Sequence, residues 1–181
     1  MLTAARALFE RGGYRAATIE AVAARSRVAK TTIYRRWPNR AALLVDLLLQ
    51  AVDADSPPPT GPEPLQALRK DLRQVAEAVE ALPGRLVASL LSEAHYDPGI
   101  RVLLLEGLFD ARRDARARLI QLAQQAGAIR RDVPPLLAAD LLVGPLLYRR
   151  FVRQETVTVG LAGQVFEAVL EGLATRPRGR R

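Results

Sequence analysis

The sequence predicts an all-α protein with a helix-turn-helix near its N-terminus. Apolar residues recur at three and four residues through nearly every segment, and convincing strand alternation is absent. Helix starts and stops fall between those segments at regular intervals: Thr18, Asn39 and Asp97-Pro98 as starts, Gly12-Gly13 and Gly127 as stops. The stretch Thr18–Leu43 reads as two short helices joined by a tight turn, the second crowded with Lys30, Thr31, Thr32, Tyr34, Arg35 and Arg36.

The first helix spans 2–11, with Leu2, Ala5, Leu8 and Phe9 inward, and the glycine pair ends it. Thr18 caps the second helix, whose core face is Ile19, Val22 and Ala23. Ser26-Arg27-Val28 forms the turn, and the third helix runs to Arg36. Pro38-Asn39 stops the chain, and Asn39 caps a longer helix over 40–52. Five prolines and a glycine in 53–64 exclude a helix interior and mark the main break. It is a domain linker or a long surface loop, following residues 1–52 and opening 53–181.

Helices over 64–81 and 84–96 follow, separated by Leu82-Pro83. Asp97-Pro98 opens a helix of about 29 residues, roughly 43 Å long at 1.5 Å per residue. Two last helices span 135–153 and 158–174, with a kink expected near 141–145 because Pro145 lacks an N–H for the carbonyl of Leu141.

The 181 residues carry a net charge of +8, unevenly placed. Residues 1–53 hold nine basic and four acidic side chains, and the tail 176–181 adds four arginines, while the remainder is close to neutral. A positive end suits a polyanionic partner. The chain has no cysteine and one histidine, so disulfides, thiolate metal sites and multi-histidine metal sites are excluded. No nucleophile–base pair or glycine-rich phosphate loop supports an enzyme, and no cofactor is expected. No apolar run reaches the roughly 20 residues of a membrane span, and a signal peptide is absent at the N-terminus, so the expected location is cytoplasmic.

A helix fits the major groove of B-DNA when a second helix braces it. Phe9, Ile19, Val22, Val28, Ile33 and Leu43 supply that brace. Lys30, Thr31, Thr32 and Tyr34 are the expected base readers, and Thr18, Arg35, Arg36 and Arg40 the expected phosphate anchors. Trp37, before Pro-Asn, reads as a packing residue.

LTAARALFERGGYRAATIEAVAARSRVAKTTIYRRWPNRAALLVDLL resembles the TetR family of transcriptional regulators, through its Ala-Phe helix, Gly-Tyr, Thr-Ile and Val-x-x-x-Thr-Ile-Tyr-x-x-Trp-Pro motif. AADLLVGPLLYRRFV is similar to the eighth helix of many such proteins. The resemblance implies about nine helices, a DNA-binding domain over 1–52 and a helical effector-binding and dimerisation domain over 53–181, a homodimer on a palindromic double-stranded operator, and repression relieved by a small-molecule effector; the alternative is an architectural DNA-binding dimer without a ligand. It departs from the family at Arg27, where glycine is usual, and at Ala29, where Ser or Thr often caps. The exchange brings Arg27 among the candidate DNA contacts. A basic arm ahead of the first helix, carried by many relatives, is not expected if Met1 is the true start.

The last two helices are expected to pair with a second copy through Leu141, Leu142, Leu146, Leu161, Val165, Val169 and Leu173. Candidates for the effector pocket are His95, Tyr96, Phe109, Arg113 and Tyr148. Arg112, Arg113, Arg116 and Arg118 interleave with Asp110 and Asp114, the pattern of a solvated, salt-bridged face.

Overall fold

Every regular element of the chain is a helix among the residues that a computed structural model describes, 1–55 and 59–173, with the side chains of 53–55 excepted. Residues 56–58 of the predicted break and the arginine run 176–181 lie outside them. In order the helices are α1 (Leu2–Ala16), α2 (Ile19–Ser26), α3 (Lys30–Arg36), α4 (Arg40–Asp55), α5 (Pro64–Glu80), α6 (Leu82–Tyr96), α7 (Pro98–Leu104), α8 (Ala111–Gln125), α9 (Pro135–Leu147) and α10 (Val159–Leu173). No helix of the described residues is long and apolar enough to cross a membrane.

Helices α1–α4 pack with α6 and α7 into one compact unit; α5 packs with α8–α10 into another. In the first unit, Phe9, Ile19, Val22, Ile33 and Leu43 are buried and Val28 is half-buried, so the predicted brace is a single small core. Asn39 caps α4, its Oδ1 accepting from the Ala42 N–H at 2.8 Å. Asp97 caps α7, accepting from Gly99 and Ile100 at 2.8 and 3.3 Å. The glycine pair does not end α1 outright. Gly12 and Gly13 leave helical geometry, Gly13 at φ 66°, and a further helical turn follows to Ala16.

The long predicted helix is interrupted. Between α7 and α8, Leu105–Asp110 widens into a π-helical turn. Gly107 lies in it, and a Cβ there would stand 3.1 Å from Leu49 of α4, so the missing side chain admits that leucine. A second π-helical turn, Tyr148–Val152, follows α9. Pro145 lies inside α9, and this irregular turn begins three residues after it.

In the second unit, Leu68, Leu72, Leu119, Ile120, Leu142, Leu146 and Phe166 anchor the core. Within it lies a buried ion pair: Arg116 donates to both oxygens of Asp71, at 2.6 and 3.2 Å. Arg112 is buried as well. These two arginines do not sit on the expected solvated face. Their spacing from Ala115 and Leu119 puts them on the side of α8 that α5 covers. Arg113 does stay near the surface, but its partner is Asp140 of α9, at 2.7 and 2.6 Å, rather than a neighbour on α8. The Arg113 guanidinium holds the Asp140 carboxyl below its ordinary range. Gln124 ties the 128–134 connector to α8, donating to the carbonyls of Arg130 and Val133 at 2.9 and 2.8 Å.

Candidate nucleic-acid interface

Helix α2 begins as the sequence requires. Thr18 is extended and its Oγ1 accepts from the Ala21 N–H at 3.1 Å. It ends on Arg27, which adopts the left-handed conformation, φ 55° and ψ 33°. The N–H groups of Arg27 and Val28 both donate to the carbonyl of Ala23, closing the helix and reversing the chain. The turn thus keeps the geometry a glycine would take, in a residue with a Cβ, at a cost of about 1–2 kcal/mol.

Helix α3 starts without a side-chain cap at Ala29. Only the carbonyl of Ala29 engages the first turn, accepting from Thr32 and Ile33 at 3.0 and 3.3 Å. Restoring the two missing local signals is expected to stabilise the head. Arg27→Gly and Ala29→Ser should each raise the unfolding free energy by about 0.5–1 kcal/mol, read as a rise in urea midpoint at unchanged slope. No change in either variant would mean that the turn is not strained and the cap is not missed.

The seven residues of α3 are held from below. Ile33 is fully buried. Trp37 follows the helix as a packing residue, 4% exposed, its N–H donating to the Ile33 carbonyl and its Nε1 to Asp46 Oδ2 at 3.0 Å. What remains faces outward: Lys30, Thr31, Tyr34, Arg35 and Arg36 are exposed and Thr32 is half-exposed. Residues 30, 31, 34 and 35 share one face, being one turn apart in pairs.

The cations divide into partnered and unpartnered. Lys30 lies 3.5 Å from Glu20 of α2. The Glu20 carboxyl is held below its ordinary range, first by a backbone hydrogen bond and then by Lys30. Arg36 lies over the Trp37 ring at 4.8 Å and donates to Asp46 at 3.3 Å. Arg27 and Arg35 make no ion pair among the described residues. Arg40 is half-buried; its guanidinium stacks over the Tyr14 ring at 3.8 Å and donates to the Tyr14 carbonyl at 3.3 Å. Sequence reasoning missed Glu20, Asp46 and Tyr14 as partners. The nearby acid in the first turn of α2 was the signal available for Glu20; no spacing rule links Asp46 to Arg36 or Tyr14 to Arg40.

The effector candidates scatter. His95 and Tyr96 stack edge to face at the exposed end of α6, ring centres 5.0 Å apart. Phe109 is half-buried in the first π-helical turn, and Arg113 is engaged by Asp140. Tyr148 lines a cavity of about 340 Å3 with Pro145, Arg149, Arg153, Glu155, Leu161 and Val165. The dimer candidates split by face. Leu142, Leu146 and Leu173 are buried in their own unit's core, which corrects their place on an outer face. Leu141 is 43% exposed, and Leu161, Val165 and Val169 are half-buried. Leu137, 50% exposed one turn before Leu141, belongs with them.

A family profile described as bacterial regulatory proteins, tetR family, matches residues 1–47, and one described as Tetracyclin repressor-like, C-terminal domain, matches residues 57–169. The chain is similar to an uncharacterised HTH-type transcriptional regulator, YdeS, of Bacillus subtilis (strain 168), 26% identical over 157 residues that cover 87% of this chain and 79% of that protein. The crystal structure of the TetR family transcription regulator SCO0332 matches with a TM-score of 0.78 at 27% identity, over 96% of each chain. FadR of Thermus thermophilus, a TetR family transcriptional repressor solved with lauroyl-CoA, shares the fold with a TM-score of 0.69 at 21% identity, over 99% of this chain and 96% of its own.

Proposed function

The chain belongs to the TetR family of bacterial transcriptional regulators and has that family's DNA-binding domain, and from that premise we propose that it is a repressor that binds a palindromic operator as a homodimer and is released by a small-molecule effector. One observation carries the reading of the site: α3 is fixed from beneath by Ile33 and Trp37 while Thr31, Tyr34 and Arg35 stand uncovered. A short helix held rigidly with a polar, cationic outer face is what major-groove readout requires. Thr31, Thr32, Tyr34 and Lys30 are the proposed base readers. Arg27, Arg35 and Arg36, with Thr18 and Arg40, are the proposed phosphate contacts.

Two copies would place two such helices one duplex turn apart, about 34–36 Å, on one side of a palindrome. The proposed dimer face is the outer side of α9 and α10: Leu137, Leu141, Leu161, Val165 and Val169. Leu141→Arg is expected to leave the fold intact and turn the dimer into a monomer, measured by sedimentation velocity at micromolar concentration. A variant that still sediments as a dimer would remove α9 from the interface.

The acyl-CoA bound by the Thermus repressor makes acyl-CoA the first effector class to try. The deciding experiment is a gel shift with DNA from upstream of the protein's own gene, at stated salt, with and without lauroyl-CoA and other small molecules. Specific binding that a small molecule abolishes supports a released repressor. Specific binding that no small molecule alters supports an architectural dimer instead.

A further inference from the structure

We infer that Tyr14 is a positioning residue for DNA binding: its ring and its carbonyl hold the Arg40 guanidinium in place as a preformed phosphate clamp at the start of α4. The inference rests on the DNA-binding reading above and adds a residue to it.

The basic side chains of the head are held in different ways. Lys30 and Arg36 meet carboxylates, Glu20 and Asp46. Arg40 is held by neutral groups only, the face of Tyr14 at 3.8 Å and its carbonyl oxygen at 3.3 Å, and it belongs to none of the ion pairs among the described residues. A carboxylate partner would cancel the charge and compete with a phosphate. A ring face and a carbonyl fix the side chain and leave its full positive charge available. One Nη1 donor is committed to the carbonyl, and the guanidinium has five donors in all. Arg40 also keeps partial exposure, so the remaining donors can reach an anion.

The backbone is arranged for this contact. The Gly12-Gly13 break in α1 redirects the chain just before Tyr14, and the carbonyl that accepts from Arg40 sits in the last turn of α1, where helix carbonyls lack partners of their own. The Tyr14 ring is itself secured. Its hydroxyl is held above the ordinary tyrosine value chiefly by burial, against the lowering influence of Arg40, with the nearby Glu93 of α6 raising it further. The phenol therefore stays neutral, and its π face stays attractive to the cation. An arginine already ordered in the free protein loses less side-chain entropy on meeting a phosphate.

The test uses the full chain and a duplex that the wild-type protein recovers from a random-sequence pool. Affinity is measured over a range of salt for the wild type, Arg40→Ala, Tyr14→Phe, Tyr14→Leu and the Tyr14→Leu/Arg40→Ala double variant, with Arg35→Ala as a control. Arg40→Ala should weaken binding about 10-fold and reduce the salt slope by about 1. Tyr14→Leu should weaken it about 3–5-fold in the wild-type background, and not at all when Arg40 is already alanine. Tyr14→Phe, which keeps ring and carbonyl, should bind within about twofold of wild type. If Tyr14→Leu costs the same affinity with and without Arg40, Tyr14 is only a packing residue and the inference is overturned. If Tyr14→Leu fails to fold, a Tyr14→Phe loss comparable to that of Arg40→Ala would overturn it equally, because the phenyl ring retains the stacking. If Arg35→Ala weakens binding while Arg40→Ala does not, the DNA-binding reading stands and the clamp falls. If the wild type recovers no duplex, the DNA-binding reading itself fails.

Discussion

Arg116→Met is expected to lower the unfolding free energy by about 3–5 kcal/mol, a loss large enough to unfold a marginal domain. The substitution leaves Asp71, 3% exposed, as a buried carboxylate without its bidentate partner. Methionine fills much of the arginine stem's volume, so the cost comes from the stranded charge rather than from a cavity. The diagnostic is the double variant. Asp71→Leu with Arg116→Met removes both charges and should recover most of the loss, since a buried ion pair contributes little net stability over a well-packed apolar pair. Urea denaturation followed by circular dichroism separates the outcomes. A double variant as unstable as the single one would mean that the pair, beyond satisfying its own charges, is required for α5 and α8 to meet.

Tyr34→Ala is expected to weaken binding to the specific duplex by about 10- to 100-fold, the range of one lost base contact, while leaving binding to unrelated DNA nearly unchanged. Arg35→Ala should act differently, weakening all duplexes alike and reducing the salt slope by about 1. Neither change should alter thermal stability by more than about 0.5 kcal/mol, because both side chains lie on the outer face of α3. Tyr34 is 47% exposed. Retention of full affinity by both variants would remove α3 as the reading helix.

The parts of this molecule that could be read from the sequence are those set by neighbours in the chain. Thr18, Asn39 and Asp97 cap helices through bonds to residues two or three positions ahead, and all three form as expected. The left-handed turn at Arg27 and the uncapped start at Ala29 were visible for the same reason. The brace was legible because Ile19, Val22 and Ile33 are the large apolar residues of two short helices that are otherwise small or polar. Helix α9 offered no such contrast. Leu136, Leu137, Leu141, Leu142, Leu146 and Leu147 cover it all round, so the period could not separate Leu141, which faces outward, from Leu142, which faces the core. Arg112 and Arg116 of α8 are buried although their pattern with nearby acids is that of a solvated helix, because the partner that buries Arg116 lies 45 residues earlier. The π-helical turns carry no residue signature of their own.

The sole tryptophan of the chain lies directly behind α3, with its indole N–H on Asp46 and Arg36 across its face. Every photon of tryptophan emission therefore originates in the unit that carries α3. Fluorescence and circular dichroism monitor different populations of residues in one denaturation experiment, the first confined to that unit and the second summed over all helices. Coincident transitions would show the two units unfolding as one cooperative system, and separated ones would resolve the stability of each without cutting the chain.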